Sequence, residues 1–325
     1  MKQIKIFCSK DWVDYELLDT GEGERLERFG KYIFVRPYEN AIWPKTLSKK
    51  EWENIDGKFW SSKQGAKSGW KMSKAGFDKK WEMQYKGIKF LASPTPFRHL
   101  GFFPEQASHW DFIEKKISKA NLAKNFLETA PSESKGQGTH AFLKNSLLNS
   151  HVPKIKFLNL FGYTGVASLF ALRAGAEVTH LDASKQILNW AKENQKLSEL
   201  DKLPMRIVED DALKFLEREE KRGNKYDCVI MDPPKFGRGP KGEIWKIEEM
   251  LPKLLLQVRK ILSDKPLFVI LTSYAINSSS LSLGYALTEM MKDFSGTTEA
   301  GELCVLEKSN NRVIPLANTA VWMVK

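Results

Sequence analysis

The sequence is poor in cysteine and has no long apolar run. Its 325 residues include three cysteines, Cys8, Cys228 and Cys304, which form no Cys-x-x-Cys pair. This spacing argues against disulfides and structural zinc, and the five histidines show no metal-binding spacing either. No apolar stretch approaches the roughly 20 residues that cross a bilayer. We therefore expect a cytoplasmic protein with no bound metal and enough chain for two domains.

Negative charge is also scarce, because the formal net charge is +11. The excess is uneven: residues 1–120 contain 23 lysines and arginines against 16 acidic residues. Residues 58–90, the basic aromatic segment, interleave nine lysines with seven aromatic residues. Such a mixture is typical of surfaces that neutralise phosphates and stack on bases, so it favours an acidic partner. The alternative is that the aromatic side chains fill a core while the lysines face solvent.

The chain divides into three parts. Residues 1–97 contain short apolar runs bounded by turns, which predict a small N-terminal β domain that binds RNA or another substrate. Residues 98–138 form a connecting segment, with helical apolar spacing over 105–127 followed by a polar break. Residues 139–325 alternate between predicted strands and helices, as a parallel sheet requires.

In the last part, the periodicity predicts an α/β fold with a Rossmann-like sheet. The tail departs from the alternation, and residues 302–307 and 317–324 predict an antiparallel hairpin. The predicted strands are 155–160, 177–181, 205–208, 226–231 and 266–272. The predicted helices are 165–174, 184–197, 211–222, 246–262 and 280–292. A parallel sheet that ends in a reversed hairpin resembles the class I methyltransferase fold more than a dehydrogenase.

A glycine turn follows the first strand of this sheet. Gly162 and Gly165 allow a sharp turn and a close ligand, and the amides that begin the next helix favour an anionic group. A dinucleotide site requires a third glycine for its pyrophosphate. Val166 and Ala167 occupy the following positions, so the dinucleotide fingerprint is absent and a nicotinamide dehydrogenase is disfavoured.

Carboxylates follow the next two strands. Asp182 ends the second strand, where it is positioned to accept both hydroxyls of a ribose. Asp211, after Asp210 at the end of the third strand, is the preferred acceptor for an adenine amino group. Each aspartate has an alternative interpretation as the N-cap of the helix that follows.

Two prolines follow the fourth strand. Asp232-Pro233-Pro234 fixes an extended turn and removes two backbone donors, which leaves carbonyls that accept hydrogen bonds from a planar amino group. In a doubly wound sheet this turn lies beside the ligand crevice. The alternative is a turn that only ends the strand.

Together these motifs resemble the bacterial large-subunit ribosomal RNA methyltransferases, the group that contains cytosine-C5 and guanine-N7 enzymes. The similarity is carried by 159–165, Asp182, Asp210, Asp211, 232–236 and 245–251, and by 101–106, which resembles the segment that covers the cofactor in that family. The resemblance implies S-adenosylmethionine (SAM) as cofactor and ribosomal RNA as partner. It also implies that Phe103, Gln106, Asp182, Asp211 and Asp232 line the cofactor or reaction site. The full set of predicted cofactor-binding residues is Phe103, Gln106, Asn159, Phe161, Gly162, Thr164, Gly165, Asp182, Ala183, Asp211, Ala212 and Asp232.

One departure from that family bears on the chemistry. The cytosine-C5 branch needs a cysteine just beyond the fifth strand, because a thiolate must add to the base before carbon 5 becomes nucleophilic. Residues 271–277 contain no cysteine. We therefore expect direct transfer to a nitrogen or oxygen, with Asp232 and Pro233 as catalytic residues that orient the acceptor.

The loop after the prolines supplies candidate substrate contacts. Lys235, Arg238 and Lys241 are expected to hold phosphates, and Phe236 to stack on a base. Tyr274, after the fifth strand, is a further candidate. The alternative is that this loop is a solvated lid. A methyltransferase that acts on a protein or small molecule, and a non-catalytic protein that binds cofactor and RNA, also stay open.

Overall fold

A computed structural model describes residues 3–61, 68–73, 77–129, 154–274 and 279–325. The first part is rich in strands, as the sequence predicts. Its elements are β1 (Lys5–Cys8), β2 (Tyr15–Gly21), β3 (Glu24–Phe29), β4 (Tyr32–Pro37), α1 (Lys49–Glu53), β5 (Gly57–Ser61), β6 (Ser68–Met72), β7 (Trp81–Tyr85) and β8 (Ile88–Ala92). Strands β2 to β6 form a five-stranded sheet in chain order, and β7 pairs with β8 in a separate hairpin.

The connecting segment begins with a short 3-10 helix, Pro104–Gln106, and continues as α2 (Ala107–Thr129). Apolar side chains at helical spacing bury one face of α2, including Trp110, Ile113 and Ile117. The Trp110 ring stacks on Phe170, with ring centroids 5.7 Å apart. This packing holds α2 against the helix that contains Phe170, directly after the cover segment, residues 98–106.

The last part alternates strands and helices. Its elements are β9 (Lys156–Leu160), α3 (Val166–Arg173), β10 (Glu177–Asp182), α4 (Lys185–Leu197), β11 (Met205–Glu209), α5 (Ala212–Lys221), β12 (Cys228–Met231), β13 (Phe236–Arg238), β14 (Ile244–Lys246), α6 (Ile247–Ile261), β15 (Phe268–Ser273), α7 (Ser280–Met290), β16 (Gly296–Leu306) and β17 (Val313–Val324). Every residue of β12 and β15 is buried, as expected for central strands that are covered by helices on both faces.

These strands form an eight-stranded sheet in the order β1-β16-β17-β15-β12-β9-β10-β11. Neighbouring strands are parallel except for β17, which is antiparallel to both β15 and β16. The predicted α/β sheet with a C-terminal antiparallel hairpin is confirmed. The carboxyl ends of β9, β10, β12 and β15 meet at one edge, which is where ligands bind in such sheets.

One strand of the first part lies in the large sheet. β1 pairs in parallel with β16, with Lys5 opposite Gly301 and Cys8 opposite Cys304. The division at residues 97 and 138 stays a prediction, but the N-terminal strand is not part of the five-stranded sheet. A four-residue strand that pairs nearly 300 residues away leaves no local signal of its partner.

In the basic aromatic segment the core interpretation fits the structure. Phe59, Trp81, Tyr85 and Phe90 are buried, Trp70 and Phe77 are half-buried, and Trp60 is exposed. Several lysines of the segment pair with acidic residues, since Lys80 lies 2.6 Å from Glu193 and Lys86 lies 2.7 Å from Asp111. Lys63, Lys67 and Lys74 lie outside the described residues.

Candidate active site

A cavity of about 510 Å³ opens at the carboxyl edge of the large sheet. Its walls come from the ends of neighbouring strands and from the cover segment. The predicted site residues that line it are Phe103, Phe161, Asp182, Ala183, Asp211, Ala212, Asp232, Pro233, Lys235, Arg238 and Tyr274. Its volume lies in the range of pockets that hold drug-sized ligands.

A smaller cavity of about 60 Å³ adjoins the first and shares Phe103, Phe161, Tyr163 and Asp232 with it. It contains the remaining predicted cofactor residues, Gln106, Asn159, Gly162, Thr164 and Gly165. The structure therefore brings all twelve predicted cofactor residues around two contiguous spaces. Their roles toward a ligand stay predictions.

The turn after β9 has an unusual backbone. Phe161, Tyr163 and Gly165 have positive φ angles of 57°, 50° and 85°, of which the first two are rare for residues with side chains. The Gly162 amide donates to the Leu181 carbonyl at 2.8 Å, and the Tyr163 amide donates to Asp182 Oδ2 at 3.0 Å. Strained backbone of this kind persists where the surroundings hold it, often at functional sites.

Gly162 is required for a reason other than the predicted one. A Cβ atom at this position would lie 2.3 Å from the ring of His180. The glycine therefore makes room for a buried side chain and not only for a ligand. His180 is held by Ser168 Oγ at 3.0 Å, and burial lowers its pKa to about 4.

Asp182 lines the cavity as a hydrogen-bonded carboxylate. Its two oxygens accept from the Ser184 amide at 2.9 Å and from the Tyr163 amide at 3.0 Å. Ser184 caps α4, so the helix-cap interpretation of Asp182 is wrong. Burial raises the pKa of Asp182, and the backbone amides oppose that shift. The carboxylate is thus fixed by the main chain with its remaining lone pairs beside the cavity.

Asp211 behaves differently. Its Oδ1 accepts from the Lys214 amide at 3.0 Å and caps α5, as the alternative interpretation predicted. The neighbouring Asp210 forms an ion pair with Arg218. Both aspartates line the cavity, but each already has a structural partner.

Two predicted cofactor residues brace the site. Thr164 is buried and its hydroxyl donates to the Gly101 carbonyl at 2.5 Å, which ties the glycine turn to the cover segment. The Thr164 carbonyl accepts from Asn194 Nδ2 at 2.8 Å. Asn159 is buried below the turn, where its amide donates to Ser168 Oγ at 3.0 Å. Both side chains hold the shape of the turn.

Asp232 belongs to a polar cluster in which Gln106 is buried and Asp232 and Tyr274 are half-buried. Gln106 Nε2 lies 3.2 Å from Asp232 Oδ2 and 3.2 Å from the Tyr274 hydroxyl. Burial and the nearby Glu105 raise the pKa of Asp232 well above its usual range, and the Gln106 amide partly offsets this. Burial also raises the pKa of Glu105. A carboxylate of raised basicity is a strong acceptor for an N–H or O–H group of a substrate.

Behind this cluster, His109 orients Gln106. Its Nδ1 lies 2.9 Å from Gln106 Oε1, and its Nε2 lies 3.2 Å from Thr319 Oγ1. Burial lowers the pKa of His109 to about 3, so the ring is neutral at physiological pH. A neutral ring that donates from Nδ1 fixes the Gln106 amide with its NH₂ group toward Asp232.

The Asp232-Pro233-Pro234 turn is held from outside. Trp245 Nε1 donates to the Pro234 carbonyl at 2.6 Å, and the Trp245 ring lies 4.9 Å from that of Phe161. Pro233 is buried and lines the cavity. In the part of the chain that the structure describes, its carbonyl accepts no hydrogen bond. The carbonyl at the centre of the turn is thus available to a ligand, whereas the next one is used by the fold.

The predicted substrate loop is a short hairpin made of β13 and β14. Lys235, Arg238 and Tyr274 line the cavity, whereas Phe236 and Lys241 do not. Phe236 is 56% exposed beside it. The cavity also contains residues that were not predicted as site residues, chiefly Arg98, His99, Tyr163, Ser184, Asp210 and Trp245. The sequence offered one signal that could have identified these residues, namely their positions within or next to the motifs described above.

No cysteine lines either cavity. Cys228 is the first residue of β12, and burial raises the pKa of its thiol well above the usual value. Among the described residues, no group of histidine, cysteine and acidic side chains is arranged to hold a metal ion. None of the described helices has the length and apolar character needed to cross a membrane.

The class I methyltransferase fold is a parallel sheet that contains one antiparallel strand and has a ligand cavity at its carboxyl edge. Here β17 is the antiparallel strand, between β15 and β16. A family model described as Conserved hypothetical protein 95 matches residues 139–273. The crystal structure of a SAM-dependent methyltransferase from Agrobacterium tumefaciens is similar over nearly the whole chain. The two sequences are 37% identical, the match covers 99% of this chain and 94% of that one, and the TM-score is 0.85.

On this evidence, the chain belongs to the SAM-dependent methyltransferases. Two curated relatives match shorter stretches. Ribosomal RNA large subunit methyltransferase K/L of Pseudoalteromonas translucida is 34% identical over 131 residues, 38% of this chain and 18% of the relative. Ribosomal RNA large subunit methyltransferase I of an Enterobacter species is 39% identical over 87 residues, 26% of this chain and 22% of the relative. The chain spans about a fifth of the length of these two relatives.

Proposed function

We propose that this protein transfers the methyl group of SAM to RNA, with ribosomal RNA as the substrate, and that it uses no cysteine nucleophile. The observation that carries the proposal is the Asp232-Pro233-Pro234 turn, which borders the same cavity as Asp182. This arrangement supports the proposal, because the turn is suited to accept hydrogen bonds from a nucleophile and the fixed carboxylate is suited to a ribose.

The residues present fit SAM. Asp182, fixed by two amides, is suited to accept the ribose hydroxyls. Phe161 and Ala212 supply apolar walls for an adenine, and Asp211 lies at the same wall. The smaller cavity, between Gln106 and the glycine turn, suits the aminoacyl end. Bound SAM supplies an electrophilic sulfonium methyl group.

The protein's own contribution is positioning. An amino group held between the Asp232 carboxylate and the Pro233 carbonyl has its lone pair directed away from both acceptors. In-line attack then requires only that this lone pair points at the methyl group. The raised basicity of Asp232 also suits it to take the proton that the nitrogen loses. Gln106 holds the Asp232 carboxylate in place, and the Tyr274 hydroxyl accepts a second hydrogen bond from the same amide.

RNA is supported as the substrate class by two observations. The curated relatives that match this chain are named as ribosomal RNA methyltransferases. In addition, Arg98, Lys235 and Arg238 line the same cavity as the Asp232-Pro233-Pro234 turn. Their positive charges suit the phosphates of a nucleic acid bound there. The absence of cysteine from both cavities favours a nitrogen or oxygen acceptor.

The test is to incubate the purified protein with methyl-labelled SAM and RNA from a strain that lacks it, both free and in ribosomal subunits. Digestion and identification of labelled nucleosides should yield one methylated nucleoside. Label in 5-methylcytidine would contradict direct transfer. If no RNA is labelled although calorimetry shows that SAM binds, the proposed RNA substrate is wrong. A protein or a small molecule is then favoured as the methyl acceptor.

Asp232→Asn tests the acceptor role, because it keeps the shape of the side chain and removes its charge. We expect turnover to fall by about 100-fold, within the range for a lost acid-base group. The matched control is Asp264→Asn, which changes an exposed aspartate that lines neither cavity. Wild-type turnover in Asp232→Asn would show that Asp232 has no role in the mechanism.

A further inference from the structure

Two exposed phenylalanines each stand beside an arginine that lines the large cavity. Phe97 is 70% exposed and directly precedes Arg98. Phe236 is 56% exposed and lies two residues before Arg238. Arg98 follows Phe97, and Lys235 and Gly237 flank Phe236, so each phenylalanine is adjacent in the chain to residues of the cavity wall. Phe97 directly precedes the cover segment, and Phe236 belongs to the β13–β14 hairpin.

The loop that presents Phe97 is tightly held. Trp70 Nε1 donates to the carbonyls of Thr95 and Phe97, at 2.9 and 3.0 Å. The Thr95 hydroxyl contacts the Phe97 amide at 3.2 Å and the His99 carbonyl at 2.9 Å. Because this loop is already fixed, the exposed Phe97 side chain loses little conformational entropy when it binds a partner.

The same loop is anchored to the five-stranded sheet by a buried ion pair. Arg36 Nη1 donates to the Arg98 carbonyl at 3.0 Å, while its other nitrogens bind Glu27 at 2.7 and 2.6 Å. Arg36 and Glu27 are almost fully buried. The Arg98 guanidinium itself is exposed and lies 3.7 Å from Glu39, at a surface where such a pair is weak.

The second phenylalanine is also presented by a fixed frame. In the β13–β14 hairpin, Phe236 pairs with Lys246 and Arg238 pairs with Ile244, and these four side chains are all exposed. Between them, Gly237 pairs with Trp245, which is buried and bonded to the Pro234 carbonyl. Strand alternation therefore directs Phe236 and Arg238 to the same, outer face.

A single exposed apolar side chain needs no explanation. The repeated combination is more specific, because an aromatic ring and a guanidinium occur together at two places on one rim. An aromatic ring receives a base by stacking, and an adjacent cation neutralises the phosphate that links this base to the next nucleotide.

We propose that Phe97 and Phe236 stack on the bases that flank the target nucleotide of an unpaired RNA strand, while Arg98 and Arg238 contact the adjoining phosphates. The target base enters the cavity between them. This inference rests on the proposed RNA methyltransferase function and adds that the substrate is read as a single strand. A base in a duplex is already stacked on its neighbours, so both rings would be left without a partner.

The test measures binding of a fluorescent single-stranded RNA of about twelve nucleotides and mixed sequence, and of the same strand annealed to its complement, in the presence of S-adenosylhomocysteine. Fluorescence anisotropy should show tighter binding of the single strand. Phe97→Ala and Phe236→Ala should each weaken that binding by about tenfold, as loss of a stacked base does. Phe97→Trp and Phe236→Trp should retain it, whereas Phe97→Leu and Phe236→Leu should not.

The control variant is Val13→Ala, which removes apolar surface from a residue that is 81% exposed and lines neither cavity. It should bind like the wild type. Equal affinity for single strand and duplex, or unchanged binding in both alanine variants, would overturn the inference. Failure of the proposed function has a different signature, since the wild-type protein would then label no RNA at all. Thermal unfolding of each variant verifies that these exposed substitutions leave the fold intact.

Discussion

Two segments of this chain have a similar composition and opposite structures. The basic aromatic segment and the hairpin region 235–246 both combine lysine or arginine with aromatic residues and glycine. In the first, four of the seven aromatic side chains are buried and only Trp60 is exposed. In the second, Phe236 and Ile244 are each 56% exposed beside the cavity, and only Trp245 is buried.

The difference comes from strand alternation and not from composition. In β7, Trp81, Met83 and Tyr85 are buried while Glu82 and Gln84 are exposed. In β13 the arrangement is reversed, because Gly237 fills the inner position and Phe236 is exposed, whereas β14 buries Trp245. A mixture of cations and aromatics therefore supports the proposed RNA binding only where the aromatic residues occupy the outer positions of a strand or a loop tip.

The largest expected effect is on the stability of the first segment. Trp81 packs against Phe34, with ring centroids 5.7 Å apart, and donates to the Phe29 carbonyl at 3.1 Å. Trp81→Ala should lower the free energy of unfolding by about 3–5 kcal/mol, as is usual for a large buried aromatic residue. Urea denaturation followed by circular dichroism measures this. A change below about 1 kcal/mol would mean that the segment is not the core of its sheet.

A smaller effect separates the cations of the two regions. Arg238 lines the cavity, whereas Lys89 lies 3.2 Å from Glu82 on the outer face of the β7–β8 hairpin. Arg238→Ala should weaken RNA binding by a few-fold and reduce the slope of log affinity against log salt by about 0.7, the value for one phosphate contact of a single strand. Lys89→Ala should change neither quantity. Equal effects of both variants would show that RNA contacts the protein through diffuse charge alone.

The sequence predicted the sheet well because its strands have a local signal. Continuous apolar runs predicted the strands 155–160 and 266–272, which the structure places at Lys156–Leu160 and Phe268–Ser273. Since the carboxyl ends of parallel strands share one edge, residues such as Asp182 and Asp232 were expected at one site, and both line its cavity.

The rest of the site depends on contacts that no local pattern reveals. The neutral His109 is defined by its position between Gln106 and Thr319, which are on separate elements. Arg98 lines the cavity, and its carbonyl accepts a hydrogen bond from Arg36, 62 residues away. Asp211 was ambiguous for a different reason, since a helix cap and a ligand contact require the same residue at the same place.

The smallest expected effect concerns Trp60, the exposed aromatic residue of the first segment. It is 44% exposed on β5 between the buried Phe59 and the end of the strand, and it pairs with Gly69. Because Trp60 lines neither of the two cavities of the candidate site, Trp60→Ala should leave RNA affinity within twofold and the free energy of unfolding within about 0.5 kcal/mol. Anisotropy with the single-stranded probe and urea denaturation measure both. A tenfold loss of affinity would extend the RNA path from the cavity rim across the outer face of the five-stranded sheet, because that face carries both Trp60 and Lys58.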